Sequence, residues 1–156
     1  MTSESRTSPQ NSEPETRIRP LVEADAAAVA ALATELGYTN EIEAIRRRIG
    51  PIGESDLLLV ATDSSDQPVG FIQAHRVCII EVGRRVEIVG LVVSSTARRK
   101  GIARALIAEV ERWAKNVDVA TVSVRSNTKR SEAHVFYPAM GYTKIKTQAV
   151  YEKVIR

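Results

Sequence analysis

The sequence has little cysteine, and none of its apolar stretches is long. Its 156 residues include one cysteine, Cys78, inside the short apolar run Val77–Ile80. A single thiol cannot form an internal disulfide, so we expect Cys78 to be a buried strand residue. A free thiol also suits a reducing cytoplasm. No apolar run approaches the ~20 residues that cross a bilayer, and the N-terminus lacks the charged-then-apolar pattern of a signal peptide. We therefore expect a cytoplasmic protein without a membrane partner.

Aromatic residues are also few, at 4% of the chain, and the net charge is only +3. Single-stranded nucleic acids bind where aromatic side chains alternate with basic ones. No aromatic residue interleaves with the basic clusters Arg46–Arg48 and Arg84–Arg85. We expect no nucleic-acid partner, and Arg46–Arg48 either forms the solvated face of a helix or attracts an anionic substrate.

Two nucleotide-binding signatures are absent. The chain contains no G-x-x-x-x-G-K-[ST], which argues against a P-loop nucleotidase. No G-x-G-x-x-G follows an apolar strand, which argues against a dinucleotide-binding fold.

A strand, a basic loop and a helix follow one another in the middle of the chain. Val86–Val93 is rich in β-branched residues and predicts a central strand, and apolar residues at helical spacing predict a helix from Ile102. Between them stand three cations, Arg98–Lys100, each unfavourable at a helix N-terminus by a few tenths to about 1 kcal/mol unless an anion compensates. The cations and the adjacent Gly101 therefore predict a phosphate-binding loop.

The same residues resemble a known family. The stretch Arg98–Ala103 fits the R/Q-x-x-G-x-G/A signature of the GNAT superfamily of acetyl-CoA-dependent N-acetyltransferases. Residues Arg125–Tyr142 are similar to the R-x-x-A-H-x-F-Y-x-x-x-G-F/Y ending of small GNAT enzymes, some of them aminoglycoside-type. The resemblance extends from about Arg17 to Ile155 and implies an α/β (α+β) fold, with a mixed, mostly antiparallel central sheet flanked by helices.

The resemblance also implies a set of coenzyme contacts. In the family the thioester carbonyl lies near backbone N–H groups of the central strand, and the pyrophosphate lies on the basic loop. Carried over to this chain, the acetyl-CoA contacts are Leu91, Val92, Val93, Arg98, Arg99, Lys100, Gly101, Ile102, Ala103, Arg104, Asn127, Ala133 and Tyr137.

Tyr137 is the candidate general acid, because GNAT enzymes often place the tyrosine of this F-Y segment beside the coenzyme sulfur. A phenol with an ordinary pKa near ~10 stays protonated at neutral pH, which suits an acid for a departing thiolate. Alternatively, Tyr137 is a core residue that packs the short helix on the sheet. Pro138 lacks an N–H, so we expect the short helix to end or kink at Tyr137.

Glu87 is the candidate general base, because it is a carboxylate in an otherwise apolar strand and GNAT enzymes often use a strand glutamate through water. The alternative is a solvent-facing ion pair with Arg84 or Arg85. His75 and His134 are further candidates by their ordinary pKa.

The remaining elements complete the predicted fold. We expect a disordered tail, Met1 to Glu15, because it lacks apolar residues, and a single domain over 16–156. The other expected elements are a strand at Ile18–Pro20, a helix capped by Asp25 that runs to Leu36 and stops at Gly37, a helix over Glu41–Ile49, a hairpin of Leu57–Ala61 with Val69–Ala74, a strand over Val119–Val124, a helix over Ser131–Tyr137, and a closing strand or pair of strands over Thr143–Ile155.

The expected activity is direct transfer of acetyl from acetyl-CoA to a primary amine of a small molecule, with no metal. Two alternatives stay open: a protein or peptide amine as acceptor, and a non-catalytic acyl-CoA-binding module. A homodimer is expected from the resemblance.

Overall fold

The computed structural model describes residues 15–156, which form two compact units. The first unit ends at Ser123 and the second is Val124–Arg156. The predicted disordered tail lies outside the described residues, except for Glu15. The strands are β1 (Arg17–Pro20), β2 (Asp56–Thr62), β3 (Pro68–Ile79), β4 (Gly83–Val93) and β5 (Val122–Val124). The helices are α1 (Ala26–Glu35), α2 (Ile42–Ile49), α3 (Ile102–Asn116) and α4 (Ala133–Ala139), with 3₁₀ turns at Glu23–Asp25 and Ser95–Ala97.

The described strands form one sheet in the order β1-β2-β3-β4-β5. β1 to β4 pair in antiparallel fashion. The segment that contains α1 and α2 joins β1 to β2, and short turns join β2 to β3 and β3 to β4. β5 lies next to β4 after a crossover through α3, which is the connection that parallel strands require. The mixed, mostly antiparallel sheet confirms the predicted fold class.

Helices cover both faces of the sheet. On one face, α1 and α2 bury a cluster with the sheet residue Val60, and Phe71 packs against it. α3 packs against β2, β3 and β4, where Ile72 and Ile88 are fully buried on the other face. Each such side chain contributes roughly 1.5–3 kcal/mol by leaving water, so the sheet is held from two sides.

A β-bulge interrupts β4. Gln73 pairs with Gly90 and Ala74 pairs with Ile88, so Val89 is an extra residue without a partner on β3. A bulge of this kind shifts the alternation of a strand by one residue. Before Val89, the N–H groups of odd-numbered residues of β4 therefore point toward β3, whereas after Val89 those of even-numbered residues do.

The prediction that the Asp25 side chain caps α1 is wrong. No bond joins this side chain to the first turn of α1. Its carboxylate instead accepts hydrogen bonds from Arg19 Nη1 at 2.8 Å and Nη2 at 3.0 Å, and from the Val22 N–H at 2.9 Å. The bidentate charged pair is stronger than a neutral cap. The Arg19 guanidinium lowers the pKa of the Asp25 carboxyl, so the pair stabilises the fold above the ordinary pKa and this stabilisation is lost as pH falls through the lowered one.

Three helices end in the same way, which fixes where the next segment begins. The Gly37 N–H bonds to Thr34 O and the Tyr38 N–H to Ala33 O, a Schellman motif that confirms the stop at Gly37. After α3 the same pattern uses Asp118, at φ +56°, and Val119. Because these residues close α3, β5 begins only at Val122, and the predicted strand from Val119 is too long. The third such motif ends α4 at Gly141.

Cys78 is exposed, which contradicts its predicted burial. β2 stops pairing with β3 at His75, whereas β3 continues to Ile79. The Arg76 N–H still bonds to Ser55 O at 2.7 Å, but residues 77–79 pair only with β4. No third strand of residues 15–156 therefore lies beside Cys78.

The predicted closing strand is also absent from the described residues. Residues 143–156 contain no strand and are exposed throughout. Val124 is the only strand residue of the second unit, so the segment finds no strand to pair with inside its own unit.

Candidate functional site

The end of β4 has backbone N–H groups on the side of the strand that faces away from β3. The Ser94 N–H bonds to Val69 O at 2.7 Å, toward β3, and the Val86 N–H bonds to Thr121 O at 2.9 Å, toward β5. N–H groups of a strand alternate in direction, so the donors of Leu91 and Val93 point away from β3 and the donor of Val92 points toward it. Without the bulge, the donors of Leu91 and Val93 would point toward β3.

β5 is too short to cover this edge. It has three residues against eleven in β4, and it begins just after the bond between Val86 and Thr121. The three residues of β5 therefore end before they reach Leu91 and Val93. Two of the three predicted thioester donors face this edge, and Val92 lies buried with its donor toward β3.

The loop from β4 to α3 has an unusual backbone. Arg99 has φ +62° and Gly101 has φ +74°, both in the left-handed region. The Arg98, Arg99 and Lys100 side chains are exposed. A Cβ built on Gly101 meets nothing within 4 Å, so the space above the loop is open.

The first turn of α3 offers free donors beside these cations. The first helical bond of α3 is that of the Ala105 N–H, which donates to Gly101 O, on the residue before the helix, at 2.9 Å. The N–H groups of Ile102, Ala103 and Arg104 precede that bond, as the first donors of any helix do. Open space, three cations and free N–H groups together fit a pyrophosphate.

Glu35 holds the loop in place, and sequence reasoning missed it. Its carboxylate accepts hydrogen bonds from Ser94 Oγ at 3.2 Å and from the Ser95 N–H at 2.8 Å. These bonds, the one from the Ser95 N–H first, lower the pKa of the Glu35 carboxyl. The contact joins residues 60 positions apart, and no local pattern around the last residue of α1 indicates it.

Glu87 is buried, with 8% of its surface exposed. It pairs across the ladder with His75, whose Nε2 lies 3.4 Å from Glu87 Oε2. The alternative of a solvent-facing glutamate is therefore wrong. Arg85 lies two residues before Glu87 on the same face of β4, and its buried Nε has no hydrogen-bond partner.

In the second unit, a Schellman motif fixes Tyr137. The Tyr142 N–H bonds to Tyr137 O at 3.1 Å and the Gly141 N–H bonds to Pro138 O at 3.0 Å, with Gly141 at φ +88°. The two tyrosine rings pack edge to face with centroids 5.9 Å apart. The motif takes its left-handed residue four positions after the tyrosine, and an apolar contact from the fifth position often accompanies it, which together account for the spacing Y-x-x-x-G-Y.

Of the two effects predicted for Pro138, an end or a kink of the helix at Tyr137, the end is wrong, because α4 continues to Ala139. Proline removes one helical donor, but here it stands in the last turn, where the Schellman bonds close the helix.

Burial raises the pKa of the Tyr137 hydroxyl, with a smaller opposing effect from Arg130. The phenol is therefore protonated throughout the neutral range. A second ring, Phe136, packs against it edge to face at 5.2 Å. The arrangement suits a proton donor in an apolar setting.

The other predicted residues of the second unit lie before and at the start of α4. Asn127 Oδ1 accepts a hydrogen bond from the Lys129 N–H at 2.9 Å, which closes a turn of the backbone. Ala133 is the first residue of α4 and is half-buried. The exposed His134 places Nε2 3.1 Å from Thr128 O. The Asn127 side chain thus has a structural partner of its own.

No group of three or more acidic, histidine or cysteine side chains among residues 15–156 is placed to hold a metal ion. In the same part of the chain, no helix has the length and apolar character needed to span a membrane.

Known proteins are similar to this chain in sequence pattern and in fold. The family model described as an acetyltransferase (GNAT) domain matches residues 22–156, which spans both units. No significant match is found among curated proteins.

Solved structures share the fold at low identity. The aminoglycoside N-acetyltransferase AAC(6′)-Iy in complex with CoA has a TM-score of 0.81 at 19% identity, over 92% of this chain and 97% of that one. The aminoglycoside 6′-N-acetyltransferase AAC(6′)-Ih from Acinetobacter baumannii has a TM-score of 0.77 at 22% identity, over 90% and 99%. A protein described as a transcriptional regulator from Bacillus halodurans C-125 has a TM-score of 0.79 at 20% identity, over 90% and 100%.

Proposed function

Because this chain belongs to the GNAT family of acetyltransferases, we propose that it transfers the acetyl group of acetyl-CoA directly to a primary amine of a small molecule. The observation that carries the proposal is the segment from β4 to α3. It puts two outward backbone donors, an open left-handed loop and three exposed cations next to one another along the chain.

The loop binds the negative charge of the coenzyme. Acetyl-CoA supplies a thioester carbonyl and a pyrophosphate when bound. The N–H groups at the start of α3 and the side chains of Arg98, Arg99 and Lys100 hold the pyrophosphate. The outward N–H groups of Leu91 and Val93 lie about 6.6 Å apart along the strand, so one of them is the proposed donor to the oxyanion. Such a donor is worth about 10²–10³ in rate.

Two side chains move protons. Glu87, the candidate base, removes a proton from the acceptor ammonium through water, because only a neutral amine attacks a carbonyl. Tyr137, the candidate acid, donates its hydroxyl proton to the departing thiolate. No covalent intermediate on the protein is needed.

The acceptor class is the finer part of the proposal. Two of the similar structures are described as aminoglycoside acetyltransferases, which favours a small-molecule amine such as an aminoglycoside-like or amino-acid-derived compound. Of the Arg46–Arg48 cluster, Arg46 pairs with Glu43, and Arg48 bonds to Asn40 at 2.8 Å. Since both arginines have partners on or near their own helix, the cluster favours a solvated face over an anion site.

We also propose a cytoplasmic homodimer. The exposed, unpaired Cys78 suits a reducing compartment. Large apolar side chains near the C-terminus, Val150, Tyr151, Val154 and Ile155, are at least three-quarters exposed and would be covered by a partner.

A panel of primary amines, incubated with acetyl-CoA and followed by release of free thiol, tests the proposed reaction. We expect release above background with at least one small-molecule amine. Release only with peptide amines would move the acceptor class to proteins. Binding of acetyl-CoA without release for any amine would identify a non-catalytic acyl-CoA-binding module.

The phosphate loop has its own test at Gly101. Gly101→Asp places a negative charge where the pyrophosphate is proposed, and Gly101→Asn is its uncharged match. Both residues tolerate the left-handed backbone better than other side chains do. Acetyl-CoA at a hundred times its Kd stabilises a folded protein by about 2.7 kcal/mol. We expect this thermal shift in Gly101→Asn and its loss in Gly101→Asp.

An equal thermal shift in the two folded variants would show that the pyrophosphate does not lie on this loop.

A further inference from the structure

We propose that His75 serves Glu87 as a proton-exit and positioning residue, carrying to solvent the proton that Glu87 takes from the acceptor amine. The inference rests on the proposed acetyl transfer.

The geometry of two adjacent strands joins these side chains. His75 on β3 and Glu87 on β4 are direct partners in the register, so their side chains lie on the same face of the sheet. Nε2 of His75 lies 3.4 Å from Oε2 of Glu87. The imidazole therefore has the carboxylate as its nearest acidic neighbour across the ladder.

Exposure increases stepwise along this pair. The Glu87 side chain is 11% exposed and the His75 side chain is 35% exposed. Asp56 on β2 is the register partner of His75 on its other side and is also half-buried. The row of three side chains thus runs from a buried carboxylate to groups in contact with water.

A buried base needs such an outlet. When an N–H bond of the acceptor ammonium breaks, its electron pair stays on nitrogen and an O–H bond forms on Glu87, directly or through water. That O–H bond then breaks and an N–H bond forms at His75 Nε2. The imidazolium releases a proton to solvent, which restores both groups without any further reactant. Imidazole suits this transfer because its ordinary pKa lies near neutrality.

The test compares His75→Gln and His75→Ala with Arg76→Gln, on an amine that the wild-type protein acetylates. Arg76 is the next residue of β3, exposed and on the opposite face, so it controls for a change in strand surface. We expect His75→Gln to lower kcat by about 10–100-fold, which is at most the lower limit of the ~10²–10⁴-fold typical of a direct acid or base, with the KM for the amine unchanged. Arg76→Gln is expected to retain wild-type kcat.

Added imidazole separates proton transfer from a structural role. We expect millimolar imidazole to restore kcat in His75→Ala, where the side-chain space is open, and to leave Glu87→Gln unrestored. Wild-type kcat in both His75 variants would overturn the inference. A loss of kcat that imidazole does not restore, accompanied by a lowered unfolding temperature, would assign His75 a purely structural role and overturn it as well.

The outcomes also separate this inference from the proposed function. If the wild-type protein transfers acetyl and both His75 variants keep the wild-type kcat, the proposed function stands and the relay is refuted. Absence of transfer to any amine refutes both.

Discussion

Tyr137→Phe is expected to lower kcat by about 10²- to 10⁴-fold while acetyl-CoA still binds. The substitution removes one hydroxyl and keeps the ring that packs against Phe136 and Tyr142. Since burial raises the pKa of this hydroxyl, the wild-type phenol is a proton donor over the whole neutral range. The measurements are steady-state rates by thiol release and the thermal shift with acetyl-CoA.

Tyr151→Phe is the matched control, because Tyr151 is 93% exposed and lies in the same unit. It should retain wild-type rates and the wild-type thermal shift. If Tyr137→Phe keeps the wild-type kcat on a verified substrate, the thiolate takes its proton from another donor, and the tyrosine is a packing residue.

Glu87→Gln is expected to lower kcat/KM by about 10²- to 10⁴-fold near neutral pH. Glutamine preserves the size of the side chain and removes its ability to accept a proton. An alkyl amine such as a lysine side chain, with a pKa near ~10.4, is almost fully protonated at pH 7 and needs the base. As pH rises toward that pKa, more of the amine is already neutral, so the deficit of the variant should shrink. A pH profile of kcat/KM for both proteins measures this convergence.

Glu109→Gln controls for the loss of one carboxylate, because Glu109 belongs to α3, not to β4, and pairs with Arg112 of the same helix. We expect its profile to overlay the wild-type profile. A constant deficit of Glu87→Gln at every pH would indicate that Glu87 holds the sheet or the substrate rather than removing a proton.

Several structural features could be read from local patterns because local physics decides them. The apolar periodicity after Ile102 gave α3, and Gly37 gave the end of α1, since each depends on residues within a few positions. The F-Y-x-x-x-G-Y spacing also has a local cause, the Schellman motif at Gly141, which overrides the effect expected of Pro138.

Other features depend on contacts between different elements of the fold. The sequence predicts that Asp25 caps a helix, but Arg19 on β1 binds the same carboxylate. Cys78 was expected to be buried, because the run around it is apolar, but β2 ends before reaching it. Whether a side chain is covered depends on how far the neighbouring strand extends, and that length is encoded elsewhere.

The candidate site also combines features that follow from local patterns with features that depend on distant contacts. Local residue patterns are enough to predict the cationic loop, the strand before it and the helix after it, because propensity and charge act over short separations. Contacts between distant segments, by contrast, set which amides of β4 face outward, anchor the loop at Glu35, and bury Glu87 against His75. These depend on a one-residue bulge and on strand register, which follow from packing between segments that the sequence separates.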